Sequence, residues 1–123
     1  MDDVVAPVRV VLVDDDALLR RTLEAQLHRS GGVVATFAGA TEALCHVEAH
    51  AVDLLVTDLE MPGLDGAALI AAVRDRGLAC RCVLITGRGL AHGEACLATL
   101  GVTGVSVIAK PISLAVMRRV LAG

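Results

Sequence analysis

Two apolar runs in this chain stop on carboxylates. Val56 and Thr57 lead into Asp58, and Leu59-Glu60-Met61-Pro62-Gly63-Leu64-Asp65-Gly66 follows. Far upstream, Val10-Val11-Leu12-Val13 ends in Asp14-Asp15-Asp16. Thr86 and Lys110 close two later apolar runs. A strand of the buried kind that ends on an acid is doing more than packing. The combination suggests a carboxylate that accepts a phosphoryl group.

Carboxylates converging on one rim repel one another, and without relief at least one is pushed toward its protonated form. A divalent cation supplies that relief. Hard oxygen ligands from one or two carboxylates, completed by waters and a phosphate, suit Mg2+. A carboxylate attacking phosphorus gives an aspartyl phosphate. Such chemistry depends mainly on positioning and charge neutralisation. Lys110 offers a point charge for phosphate oxygens, and Thr86 offers a hydroxyl donor on the same rim.

The elements that must position these groups alternate from end to end. Val8–Val13 is aliphatic and β-branched and reads as a strand. Over Ala17–Arg29, Leu18, Leu19, Leu23 and Leu27 recur near helical spacing. Asp16 is placed as its N-cap and Gly31-Gly32 as its stop. Further strands are predicted over Val33–Phe37, Val52–Thr57, Cys82–Thr86 and Val105–Ala109. Helices are predicted over Thr41–Ala49, Gly66–Arg76, Leu90–Leu100 and Ser113–Ala122. Five strands alternating with five helices define an α/β chain with a five-stranded parallel sheet, right-handed crossovers and helices on both faces. Ligands of such sheets sit beyond the carboxyl ends of the strands, where strand order reverses. The strand-end residues are Asp14-Asp15-Asp16, Asp58, Thr86-Gly87 and Lys110-Pro111.

Composition narrows the classes. At 123 residues the chain reads as one domain. Hydrophobic residues make up 55%, almost all aliphatic, since Phe37 is the only aromatic. Base stacking on aromatic platforms is therefore not expected, and a net charge of -3 gives no pull toward a phosphate backbone. The longest apolar run, Ala67–Val73, falls far short of the roughly 20 residues of a membrane span. Met1-Asp2-Asp3 lacks the basic start of a secretory signal, so a cytoplasmic location is expected. Cys45, Cys80, Cys82 and Cys96 match neither a redox pair nor a zinc spacing. They read as small apolar residues, with Cys80 and Cys82 on one face.

The pieces VLVDDD, VTDLEMPGLDG, VLITG and VIAKP occur in order and with suitable gaps. Together they resemble the receiver domain of two-component response regulators, from Val8 to Leu121, with a single-domain, chemotaxis-type receiver as the nearest form. The resemblance implies a doubly wound (βα)5, flavodoxin-like three-layer sandwich. It implies phosphorylation of Asp58 by the phosphohistidine of a sensor histidine kinase or a histidine phosphotransfer protein. It implies Mg2+ bound directly by Asp15 and Asp58, through water by Asp14, and by the backbone carbonyl of Glu60. Thr86 would contact the phosphoryl group, Lys110 would pair with it, and Lys110-Pro111 would be cis. A downstream protein target is implied as the reader, with the domain a monomer or weak dimer. It would catalyse only its own phosphorylation and dephosphorylation. Glu60 and Arg88 lie close enough to tune the phosphoryl lifetime, in a direction the sequence leaves open.

Two positions depart from the family pattern. Val107 stands where Tyr or Phe is common, and Ile112 where Phe often follows the Pro. Val107 is too small to act as the aromatic lever that usually follows the Thr inward. Readout mainly through the loops near Asp58 is expected instead.

Plainer roles compete at several positions. Asp16 and Asp65 read as helix caps, and Gly87-Arg88-Gly89 matches no phosphate-cradling fingerprint. His46 and His50 are four apart on a helix but lack a third ligand, and read as solvent-facing. Arg118-Arg119 reads as an exposed pair complementing a helix dipole. Two rival functions remain. One is a Mg2+-dependent phosphohydrolase with Asp14 as nucleophile and Asp16 as second acid. The other is a pseudo-receiver that only binds partners.

Overall fold

The computed structural model describes residues 6–123; the reading of Met1-Asp2-Asp3 lies outside them. The elements run β1 (Val8–Val13), α1 (Ala17–Arg29), β2 (Gly32–Phe37), α2 (Ala40–Ala49), β3 (Leu54–Asp58), α3 (Gly66–Asp75), β4 (Arg81–Thr86), α4 (Leu90–Thr99), β5 (Ser106–Ala109) and α5 (Leu114–Ala122). The strands form one sheet in the order β2-β1-β3-β4-β5, and every pairing is parallel. This is the flavodoxin-like (βα)5 arrangement, and strand order reverses between β1 and β3.

The two faces follow from the strand period of two. Val11, Val13, Leu55 and Leu84 face a core completed by Ala43 and Val47 of α2, Leu69, Ile70 and Val73 of α3, and Leu97 of α4. Val10, Leu12, Leu54, Val56, Val83 and Ile85 face the opposite way, onto Leu23 and Leu27 of α1 and Met117, Val120 and Leu121 of α5. Every residue of β3 is buried, which is why that segment reads as a continuous apolar run rather than an alternating one.

Register aligns the chemistry. Val13 lies opposite Thr57, Asp58 opposite Ile85 and Thr86 opposite Ala109. The next residue along β1 is Asp14, and the next along β5 is Lys110. The caps fall as expected. Asp16 accepts from the Leu18 and Leu19 N–H groups at 3.0 and 3.1 Å, and Asp65 accepts from Ala68 N–H at 2.8 Å.

Several boundaries differ from the sequence reading. β3 opens at Leu54 rather than Val52, because Asp53 turns to Arg9: its Oδ2 accepts from the Arg9 backbone N–H at 2.8 Å and from the guanidinium at 3.2 Å. Asp58 is the last residue of β3 rather than the first beyond it. Ser113 caps α5 instead of opening it, accepting from Val116 N–H at 3.2 Å. β2 and β4 each begin one residue earlier, and β5 one residue later, than the apolar runs suggest.

Gly66 is constrained by close approach. A β-carbon there would collide with the Asp58 carbonyl oxygen and stand 3.0 Å from Leu59 Cα. The Gly66 N–H also donates to the Leu59 carbonyl at 3.0 Å, closing the loop. Helix propensity alone favours Ala over Gly by roughly 0.5–1 kcal/mol in a helix interior. Overpacking against immobile backbone costs about 1–3 kcal/mol and wins here. Gly66→Ala is expected to lower unfolding free energy by about 1–2 kcal/mol in urea titrations; an unchanged or raised midpoint would contradict the close approach.

Candidate functional site at the carboxyl end of the sheet

The strand ends bring Asp14, Asp15, Asp58, Thr86 and Lys110 to one rim. Asp14 is 1% exposed and Asp58 3% exposed, while Asp15 is exposed. One carboxylate oxygen from each of these three acids lies within 4.8 Å of the others. Asp14 Oδ1 accepts from the Asp16 N–H at 2.9 Å, but its Oδ2 is buried with no hydrogen-bonding partner. Lys110 Nζ lies 3.2 Å from Asp58 Oδ1. This ion pair is the contact that Oδ1 makes, and the buried oxygen has no partner besides Lys110.

Burial is the main reason that the Asp58 carboxyl is pushed up to about 6; Lys110 opposes the shift, and the charges of Asp14 and Glu60 add to it. Burial likewise pushes the Asp14 carboxyl upward, with the Asp16 N–H and then Lys110 opposing. Two buried acids, one with an orphaned oxygen, beside a third acid that faces solvent, form a hard oxygen donor set. Such a set fits a small divalent cation better than it fits two protons at neutral pH.

Thr86 is fully buried, and the Lys110 N–H donates to its carbonyl at 2.9 Å. The Lys110-Pro111 peptide is cis. The Thr86 hydroxyl points at the Glu60 side chain, with Oγ1 3.1 Å from Oε2. The sequence reading gave the Glu60 carbonyl a metal role and placed the residue close enough to tune the phosphoryl lifetime, without the partners of its carboxylate. Gly87, assigned no cradle, donates its N–H to Glu60 Oε1 at 3.0 Å. Arg20 was overlooked: its Nη1 donates to the Asp14 carbonyl at 2.6 Å, bringing a cation beside the acids. Neither role had a sequence signal beyond proximity, since both depend on where a long side chain turns.

Other candidates lie elsewhere. His46 is half-buried, not solvent-facing: it packs on Phe37 with ring centroids 5.1 Å apart and stacks on His50 at 4.1 Å. Cys80 and Cys82 are buried on one face, Cys96 is half-buried and Cys45 is exposed. Arg118 and Arg119 are exposed. Among the described residues, no helix is long and apolar enough to cross a membrane.

Residues 10–122 match the family model described as the response regulator receiver domain. The chain belongs to that family. It is 36% identical over 117 residues to protein-glutamate methylesterase/protein-glutamine glutaminase 5 of Myxococcus xanthus, an alignment covering 94% of this chain and 33% of that protein. It is 34% identical over 106 residues to the C4-dicarboxylate transport transcriptional regulatory protein DctD of Rhizobium meliloti, covering 85% of this chain and 22% of that one. The chain thus spans at most about a third of the length of these two relatives. Chemotaxis protein CheY4 of Vibrio cholerae superposes with a TM-score of 0.83 at 24% identity, over 94% of this chain and 100% of that one, which shows the shared fold.

The raised carboxyls have a sign. A group whose folded-state pKa lies above its unfolded value favours folding while protonated, and that contribution is lost as pH rises through the folded pKa. For Asp58 the window runs from its ordinary 3.8 to about 6. Without divalent cations, stability is expected to fall across this window. Asp58→Asn is expected to raise unfolding free energy at neutral pH by on the order of 2 kcal/mol. Paired chemical denaturations at pH 4.5 and 7.5 check both; an Asn variant no more stable than the native chain at pH 7.5 would refute the buried-charge account.

Proposed function

We propose that this chain is a phosphoacceptor signalling domain whose phosphorylated residue is Asp58. The observation that carries the reading is the buried Asp58 carboxylate, beside Lys110 and within a few ångströms of Asp14 and Asp15. Membership in the receiver family supports the same chemistry. An Asp58 oxygen attacks the phosphorus of a phosphohistidine. The P–N bond breaks, and its electron pair returns to the imidazole, which takes up a proton. Water later attacks the phosphorus, releasing inorganic phosphate and restoring the carboxylate.

Asp15 and Asp58 directly, Asp14 through water, and the Glu60 backbone carbonyl would hold Mg2+, which would neutralise charge gathering on the reacting oxygens. Lys110 supplies a fixed positive charge beside Asp58, and Thr86 supplies a hydroxyl for a phosphoryl oxygen once it turns from Glu60. Asp15, being exposed, keeps the acid cluster open to water. The added charge biases a conformational equilibrium and thereby changes which protein binds.

The phosphate source is a sensor histidine kinase or a histidine phosphotransfer protein, and the reader is a downstream protein target. Residues 1–123 act as one receiver unit with its core at 8–121, as a monomer or weak dimer in the cytoplasm. The unit binds neither nucleic acid nor membrane. It catalyses its own phosphorylation and dephosphorylation without steady substrate turnover. The phosphohydrolase reading is disfavoured because Asp16 Oδ1 is engaged as a helix cap. The pseudo-receiver reading is disfavoured because the acid set and Lys110 converge.

Incubation with acetyl phosphate and Mg2+ should add one phosphoryl group to the native chain by intact mass, acetate leaving as the acyl P–O bond breaks. Asp58→Ala should add none. Equal labelling of native chain and Asp58→Ala would end the assignment. Steady phosphate-ester turnover lost in Asp14→Ala but kept in Asp58→Ala would favour the phosphohydrolase.

A further inference from the structure

The loop after β4 already holds an anion, and it comes from the chain itself. Thr86 Oγ1 lies 3.1 Å from Glu60 Oε2 and 3.3 Å from Oε1. The Gly87 N–H donates to Oε1 at 3.0 Å. The Arg88 N–H donates to Thr86 Oγ1 at 3.0 Å, which occupies a lone pair of the hydroxyl and leaves its proton for the carboxylate. Thr86 is fully buried, so no water competes for that proton. A β-carbon built on Gly87 would stand 3.9 Å from both Glu60 Oε1 and Lys110 Cδ. The carboxylate therefore lies on the side of Gly87 along which the Lys110 chain runs toward Asp58.

We propose that the Glu60 carboxylate is a resident anion of the phosphoryl pocket, and that it must release Thr86 and Gly87 before a phosphoryl group on Asp58 can be held. The inference rests on the reading of Asp58 as phosphoacceptor. A hydroxyl and an N–H each have one proton to donate, so the two donors cannot serve Glu60 and a phosphoryl group together. A phosphoryl group adds a charge of about −1.5 to −2 at neutral pH. Competition for donors and repulsion between anions thus act in the same direction. Glu60 is only half-buried, so water can take the carboxylate when it leaves. Glu60 sets how readily the site accepts phosphate. Its departure is a movement that phosphorylation imposes whatever the size of residue 107.

A purely structural role would make the opposite demand. If Glu60 only braces Thr86, its removal loosens the pocket and slows phosphorylation. The test compares the native chain with Glu60→Gln and Glu60→Ala, both of which keep the backbone carbonyl at position 60. Beryllofluoride, a phosphoryl mimic, is titrated in the presence of Mg2+ and followed at the Gly87 amide by NMR. Initial rates of labelling by acetyl phosphate are followed by intact mass. Losing charge-assisted hydrogen bonds should lower the half-saturating beryllofluoride concentration about tenfold in Glu60→Ala, with Glu60→Gln between it and the native chain. Labelling rates should rise in the same order. A native chain that labels on Asp58, with both variants binding no tighter and labelling no faster, would overturn the inference and leave the phosphoacceptor reading intact. If no chain labels or binds beryllofluoride, the phosphoacceptor reading falls first and takes this inference with it.

Discussion

The arrangement turns on one expense: two carboxylates, Asp14 just past the end of β1 and Asp58 at the end of the neighbouring β3, are held out of water. Burial disfavours each charge, and proximity disfavours both together. Lys110 offsets part of this from 3.2 Å. The offset is incomplete, since Asp14 Oδ2 has no partner and burial still pushes the Asp58 carboxyl up to about 6. A site under that strain discriminates strongly in favour of whatever brings positive charge or removes negative charge. Its chemistry follows from what the fold withholds from it.

The fold can keep the acids in place because its scaffold is unyielding there. β3 is buried along its whole length, with paired strands on both sides. The chain leaving Asp58 is pinned by Leu59 N–H to the Ile85 carbonyl at 2.8 Å, and the missing side chain at Gly66 lets α3 start against the Asp58 carbonyl. Lys110 reaches from β5, whose end is tied to Thr86 through the backbone. Asp58, Thr86 and Lys110 are thus each fixed by a main-chain bond at or beside them, while Glu60 lies on the β3–α3 loop.

The absence of an aromatic ring at position 107 has a structural counterpart on α4. A β-carbon at Gly93 would stand 2.7 Å from Val107 Cγ1 and 3.3 Å from the Thr86 methyl carbon. The helix backbone therefore packs straight onto the residue where family members often carry an aromatic side chain, and onto the threonine of the site. A small residue on β5 and a glycine on α4 are matched in size. Together with the Glu60 contact, this sets Thr86 against two neighbouring segments, the β3–α3 loop through its hydroxyl and α4 through its methyl group.

Much of this was legible in the residues alone. Short apolar runs and helical spacings implied five strands alternating with five helices, because apolar patterning reports which residues each element must bury. Carboxylates, Thr86 and Lys110 at strand ends implied a shared rim, because parallel sheets put like ends together. Boundaries such as Leu54 for Val52 were not legible, since the Arg9–Asp53 contact joins residues distant in sequence. The burial of His46 against Phe37 was hidden for the same reason. Local composition determined the elements and the acids they carry. Only the tertiary structure decided that Glu60 turns its carboxylate onto Thr86 and Gly87, that Arg20 reaches the Asp14 carbonyl, and that Gly66 and Gly93 bear close contacts. Those outcomes depend on which long side chains and backbones meet across separate elements, and a linear pattern carries no such distances.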